Sequence, residues 1–461
     1  MHWNKYKSWY IALGTVLFFI LAKLSTLSFR FGDENVYFYM SQAILDGLLP
    51  HRDFFLADPP VFVYIMAFFK MLFGSHLILF KTLPIIFDSI SAVLIFLLLK
   101  DKNRLAFLAP VFYLASFTVI STSDYVTGAE IMIPFILLAL LFDQKGRPLW
   151  SGVMWALACL CKLYAGPALL GFLLYKVIKK EWGNLKEIIL GGLLTTFIIM
   201  LPFFLLAPQQ TFYNLFTHQF NRPVGINKWN IFAVFLKFEW LFVLGGIIAI
   251  FKIKNRIWIL PFVFSALFFL LYRDLYYLYL HILMPFIIIL FVELSEKIYE
   301  KQKELFYLVI AVVVIIFFYS ASAYNDTYQE EGIFRNPGEV AEALRNTPED
   351  LPVYGLQEVT PLVALMSGKK IFQNIIDTNT QNFASGTHNK IKISEEAVKE
   401  GIYLVTRVGY YPAQGVVDTG FENYFDRGTF DKYCTPYMAF DHPSFNDPLN
   451  QIKIYKCKES K

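Results

Sequence analysis

The residues best suited to chemistry lie in one polar stretch, residues 30–60, which reads RFGDENVYFYMSQAILDGLLPHRDFFLADPP. Asp33 and Glu34 head it, a few residues after the first hydrophobic run. Holding an acidic pair against a bilayer carries a desolvation cost, so such a pair is a functional-site hypothesis by default. A carboxylate there could take the proton of an attacking hydroxyl and stabilise an oxocarbenium-like transition state, the two demands of sugar transfer. A structural role competes on spacing alone. Asp33 could cap a helix over residues 35–45 while Glu34 favours its N-terminus through the dipole. The two roles are compatible.

Loss of a phosphate leaving group calls for cations held near the departing charge. Lys162 and Arg273 are the main candidates, with Arg52 in the first loop as a third; arginine can grip phosphate through two parallel bonds. The plainer readings are a snorkelling Lys162, an Arg273–Asp274 pair, and a solvated or self-paired His51-Arg52-Asp53 cluster. Asp124, in Ser-Thr-Ser-Asp-Tyr, is either a pocket residue or the cap of the span that follows. Tyr37, Asp58 and Tyr277 complete the candidate pocket. His218, in THQFNRP, is the one metal candidate, a ligand for a divalent ion together with a first-loop carboxylate, although a lone loop histidine is usually no ligand. There is no Gly-rich phosphate loop, Cys-x-x-Cys pair or His-Glu-x-x-His motif, so nucleotide-driven and zinc-protease chemistry have no support.

The elements that must position these groups are set by composition. The 461 residues are 56% hydrophobic and 18% aromatic but only 17% charged, against roughly 25% charge in soluble domains. A soluble core cannot absorb that much apolar surface, so most of the chain must lie in lipid. A net charge of +4 leaves no nucleic-acid footprint. Candidate spans are residues 8–27, 79–99, 105–121, 128–142, 187–207, 231–251, 257–272, 276–294 and 305–320. The first is read as a retained helix, because many more spans follow it and no small-residue cleavage site does.

Loop charge decides two ambiguous stretches. Residues 59–73 reach only roughly 22 Å as a helix, short of a ~30 Å hydrocarbon core. If they crossed, the basic loop 100–104 would face outward, against the positive-inside rule, so they are laid in the outer interface with Lys70 at the headgroups. Residues 149–175 are interrupted by Lys162 and Pro167 and flanked by lysines on both sides. Two short helices breaking at Lys162 keep both basic flanks inside and leave Lys162 recessed in a pocket. The loops 100–104, 143–147, 176–186, 252–256 and 296–304 then all face the cytoplasm. About eleven crossings follow, with the N-terminus inside and the C-terminus outside. The first outer loop (28–78), Asp124, Lys162, the loop 208–230 and Arg273 all fall on the outer face of a 1–320 membrane domain.

From about residue 321 the composition changes, with turn and cap residues at Asn325, Asp326, Gln329 to Gly332 and Asn336 to Gly338. Residues 339–345 and 395–399 read as helix; 352–355, 401–408 and 451–457 read as strand. A small extracytoplasmic α/β domain over 321–461 is expected. Within it Cys434 and Cys457 either pair, if the compartment is oxidising, or stay free thiols.

Residues 32–74, GDENVYFYMSQAILDGLLPHRDFFLADPPVFVYIMAFFKMLFG, resemble the first outer loop of the GT-C membrane glycosyltransferases, in particular the protein O-mannosyltransferases and lipid A aminoarabinose transferases. The shared order is Asp-Glu, an aromatic, a short helix ending in Gly, a Pro-Pro pair, an interfacial helix and Phe-Gly. Looser matches are Asp124, the break at Lys162, the aromatic loop ending at His218 to Arg222, and residues 277–285, YLYLHILMP. The resemblance implies a GT-C fold, a polyprenyl- or dolichyl-phosphate-linked monosaccharide as donor, and inversion on the outer face of the plasma membrane. It implies Asp33 as base, Glu34 in support toward acceptor or metal, and Lys162 and Arg273 at the phosphate; the acceptor is a protein, lipid or glycan. Ala57-Asp58 stands where aminoarabinose transferases carry Glu-Lys, which leaves the phosphate to other cations and weakens a zinc site at His218. A transporter or flippase is the competing class. It predicts charges at mid-membrane depth on several helices and inverted repeats, and the sequence has no visible repeat.

Overall fold

The computed structural model of the protein describes residues 5–253, 257–325, 332–411, 416–418, 420–441 and 451–459. Most of the turn residues 326–331 and the end of the basic loop 252–256 lie outside these. Among the described residues six helices are long and apolar enough to cross a membrane: Lys7–Leu24, Leu77–Leu99, Trp182–Leu206, Lys228–Lys252, Tyr277–Lys301 and Lys303–Ala323. Shorter apolar helices include Val61–Phe73, Pro148–Cys161 and Ile259–Leu271.

The chain forms two compact units interleaved in sequence. One comprises Met1–Leu27, Lys81–Pro202 and Val224–Asp326; the other comprises Ser28–Phe80, Phe203–Pro223 and Thr327–Lys461. Contacts therefore divide the chain differently from the composition shift at residue 321, because the first loop and residues 203–223 group with the C-terminal region.

In the first unit the span expected over 105–121 is two helices, Leu108–Ala115 and Phe117–Thr122. They separate at Ser116, whose extended backbone and side-chain oxygen, accepting from the Val119 N–H at 3.3 Å, restart the helix as an N-cap does. The break at Lys162 is present as expected. Helix Pro148–Cys161 ends there, Lys162 is extended (φ −150°, ψ 131°), and Gly166–Ile178 follows with Pro167 in its first turn. Proline fits that position because it lacks the N–H a helix start leaves unpaired. Helices Pro148–Cys161 and Trp182–Leu206 approach through glycines. A Cβ on Gly152 would overlap the Ile188 carbonyl, and one on Gly191 the Leu149 carbonyl. Small residues of this kind let apolar helices pack backbone to backbone in lipid.

The second unit is built on a five-stranded sheet: β1 (Val353–Gly355), β2 (Ile402–Tyr411), β3 (Val416–Asp418), β4 (Cys434–Asp441) and β5 (Gln451–Cys457). The order is β1-β2-β5-β4 with β3 on the far part of β2; β1 runs parallel to β2 and the other pairs are antiparallel. Helix Lys390–Glu400 places Ile393 and Ala397, one turn apart, in a core with Tyr354, Leu404 and Phe425. Cys434 and Cys457 are register partners of β4 and β5 and form a disulfide, which closes the alternative of two free thiols.

The first loop is stitched onto this unit. The Phe31 N–H donates to the Gly332 carbonyl at 2.9 Å, the Phe334 N–H donates to the Phe29 carbonyl at 2.8 Å, and the Phe31 and Phe334 rings stack at 4.7 Å. Two helices follow, Glu34–Leu45 and Val61–Phe73. The second buries Phe62, Val63 and Met66 and exposes Tyr64, Phe68, Met71 and Leu72, the two-faced pattern of a helix lying in an interface.

Candidate active site

Asp33 stands at the N-cap position of helix Glu34–Leu45, but its backbone is already helical and its side chain makes no cap hydrogen bond. The expected side-chain cap is thus absent. Its carboxylate, exposed at the head of the helix, instead accepts from Gln357 Nε2 at 2.9 Å. Asn35 fixes the same junction by donating to the carbonyls of Arg30 (2.9 Å) and Glu358 (2.6 Å). Glu34 is buried. Tyr37 follows Asp33 by one helical turn, so both lie on one face, and its hydroxyl reaches Asp58 Oδ2 at 3.4 Å. Burial pushes the Tyr37 phenol well above its ordinary pKa. The carboxylates of Asp58, Asp33 and Asp377 push the same way, and Arg222 opposes them. The hydroxyl therefore stays protonated and serves as the donor to Asp58.

Residues 208–222 close on the loop from another direction. Gln219 Nε2 donates to the Ala57 carbonyl at 2.8 Å, and Asn214 Nδ2 lies 3.3 Å from His51 Nδ1. His218 is buried, with Nδ1 hydrogen-bonded to Thr387 Oγ1 at 2.9 Å and Ser385 Oγ at 3.3 Å, and with the Phe55 ring edge-on at 4.9 Å. Burial lowers its pKa to about 4, helped by Arg222 and His388; burial likewise takes His51 to about 4 and lowers His388. These imidazoles are neutral at pH 7. Among the described residues no group of three or more His, Cys, Asp or Glu is placed to hold a metal, and the ring atom of His218 facing Thr387 is already engaged.

Arg52 follows the self-paired reading of its cluster rather than the phosphate reading. It is exposed and forks onto its neighbour Asp53 at 2.9 and 2.7 Å, because adjacent residues in a turn satisfy each other locally. Arg222 is a cation close enough to Tyr37 to oppose the rise of its phenol pKa. Sequence reading passed over Arg222, Gln357, Asp377 and His388; of these only Arg222 lay in a motif already singled out.

The remaining candidates belong to the membrane unit. Lys162 is buried at its helix break. Two residues on, Tyr164 hydrogen-bonds the Tyr272 hydroxyl at 3.1 Å and packs on Tyr279 at 4.5 Å. These contacts hold the break against the segment carrying Arg273, which is exposed, and Tyr277, whose hydroxyl lies 3.0 Å from Thr118 Oγ1. Asp124 is neither a cap nor an open pocket group. It forms a buried ion pair with Lys23 at 2.6 Å, and its carbonyl takes the Lys81 ammonium. The cap role falls to Glu130, which accepts from the backbone of Thr127 (2.8 Å) and Gly128 (3.1 Å). A buried network with no sequence motif also appears: His281 meets Asp88, Tyr113 and Thr122 at 3.0–3.1 Å, and Glu239 accepts from the Thr118 N–H at 2.7 Å.

Apolar helices in this number, with a polar loop carrying an exposed carboxylate, define a multi-pass membrane protein with one chemically equipped loop. Residues 57–205 match the sequence family described as dolichyl-phosphate-mannose-protein mannosyltransferase. The fold is similar to the crystal structure of ArnT from Cupriavidus metallidurans bound to undecaprenyl phosphate, with a TM-score of 0.61 and 13% identity over 96% of this chain and 97% of that one. The apo crystal structure of ArnT from the same organism gives 0.60 and 14%, over 98% of each chain. A comparison with curated protein sequences returned no match. The chain is thus similar to the protein-mannosyltransferase family over residues 57–205 and to ArnT in fold, in line with the resemblance of its first loop.

Proposed function

We propose that this protein moves a monosaccharide from a polyprenyl- or dolichyl-phosphate carrier to a hydroxyl of a protein, lipid or glycan acceptor on the outer face of the plasma membrane. Asp33 takes the acceptor proton as the hydroxyl oxygen attacks the anomeric carbon from the face opposite the phosphate. The sugar–phosphate C–O bond breaks, its electron pair leaves with the lipid phosphate, and configuration inverts. Gln357 holds one oxygen of the Asp33 carboxylate and so orients the group at the head of its helix. Protonated Tyr37, its hydroxyl donated to Asp58, lines the same space, with Glu34 buried behind. Lys162 and Arg273, with Arg222 in place of Arg52, take the phosphate charge.

The observation that carries this reading is the Asp33 carboxylate, unused by its helix and oriented by a residue 324 positions away. The relative bound to undecaprenyl phosphate supports a lipid-phosphate donor. The disulfide supports an oxidising exterior for the C-terminal region, and with it the eleven-crossing topology. Buried Asp88, Glu239 and His281 on different membrane elements resemble what a transporter would need. All three are fully buried and hydrogen-bonded to neighbouring residues rather than lining a path, which favours the transferase. Asp33→Asn keeps the side-chain shape and removes the base. We expect transfer of radiolabelled sugar by the purified variant to fall by about three orders of magnitude with an unchanged gel-filtration profile; near-normal turnover would remove the assignment.

A further inference from the structure

A cavity of about 700 Å³ in the second unit shares no lining residue with the groups assigned above. It lies along the opposite end of helix Glu34–Leu45 from Asp33, against the turn after Val61–Phe73 and the end of helix Thr360–Ser367. Four of its lining residues are cationic, Lys70, Arg345, Lys369 and Lys370, and one is acidic, Asp46. Among the described residues Lys70 and Arg345 hydrogen-bond to carbonyls, those of Gly74 and Met366 at 2.5 Å, and make no ion pair. Lys369 adds a carboxylate, Asp350 at 3.0 Å, to the Glu349 carbonyl. Lys370 is exposed and makes no ion pair among the described residues. Burial lowers the Lys70 ammonium below its ordinary pKa, and a neighbouring anion would restore the solvation it has lost. The wall between the cations is apolar, with Phe29, Leu77, Ile78 and Met366. The helix that presents Lys70 exposes Phe68, Met71 and Leu72 on its outer side.

We propose that this cavity binds the phosphate of an anionic amphiphile, with Lys70, Lys369 and Lys370 around the headgroup and the apolar wall against the first carbons of its tail. An excess of cations in a recess focuses potential on an anion, and basic pockets beside a membrane select phosphate headgroups. A free phosphate would meet the same cations but gain nothing from Phe29 and Leu77. The proposal is independent of the transfer reading, since the two share no residue.

Purified full-length protein in mixed micelles, with phosphatidylglycerol or phosphatidylcholine added, tests this by native mass spectrometry of retained lipid. We expect phosphatidylglycerol to be retained in preference to phosphatidylcholine. Lys370→Gln, at an exposed position that does not threaten folding, and Lys70→Met, which keeps the stem, should each weaken retention about fivefold. Arg52→Gln, outside both the cavity and the transfer groups, should leave it unchanged. Equal retention of the two lipids, or retention indifferent to both lysine substitutions, overturns the site. Displacement by inorganic phosphate at equal concentration overturns the amphiphile and leaves a free-phosphate site.

Discussion

At the scale of single residues the decisive fact is what each carboxylate touches. Asp33 and Asp124 both sit beside helices in the sequence, yet one is exposed and accepts from the neutral amide of Gln357 while the other is buried and locked to Lys23. A base must reach its acceptor, so exposed Asp33 suits that role and buried Asp124 serves to hold its turn. The contact with Gln357 makes a further expectation specific. Gln357→Leu leaves the base chemically intact but unoriented, so kcat should fall about tenfold with little change in the donor KM, as loss of orientation alone would produce. Steady-state kinetics on the purified variant decide it. A change confined to KM would mean that Gln357 binds substrate instead of positioning Asp33.

At the scale of elements, the breaks matter more than the helices. Ser116 and Lys162 each interrupt an apolar run, and polar backbone is tolerated at membrane depth only where protein or a cavity surrounds it. The break at Lys162 lets a lysine point away from lipid, and the Tyr164–Tyr272 contact fixes it. Lys162→Ala should keep this break, which Pro167 and the tyrosines maintain, and should weaken donor binding about tenfold or more, as loss of a charged contact does. Titration with a short-chain lipid-phosphate sugar measures this; an unchanged affinity would release Lys162 from the phosphate.

At the scale of the whole molecule, the stability of the second unit depends on neutral imidazoles. His51 and His218, with pKa values held near 4, titrate near 6.5 once unfolded. Unfolding therefore takes up protons at mildly acid pH. The stability they contribute is full above about pH 6.5 and is lost as pH falls toward 4, by up to about 3 kcal/mol for each group. Melting temperature should drop between pH 7 and 4.5, and His218→Gln should flatten the slope; a pH-independent Tm would contradict the burial. Topology has a separate test. A cysteine introduced at position 253 should react with an impermeant thiol reagent only from the cytoplasm, and one at 380 only from outside. Labelling of both from one side would undo the eleven-crossing scheme.

Composition alone required a membrane protein, because 56% hydrophobic residues with so little charge can be covered only by lipid. The flanking lysines and Pro167 placed the Lys162 break, since helix length and proline geometry are local properties. The Asp-Glu loop was legible for the same reason, its order being written in consecutive residues. Three-dimensional structure alone decided that Gln357, Arg222 and His388 group with that loop, that Asp124 belongs to Lys23, and that a cationic cavity lies behind the first loop's helix. Those groupings join positions tens to hundreds of residues apart. They depend on packing between elements, which no periodicity or motif records.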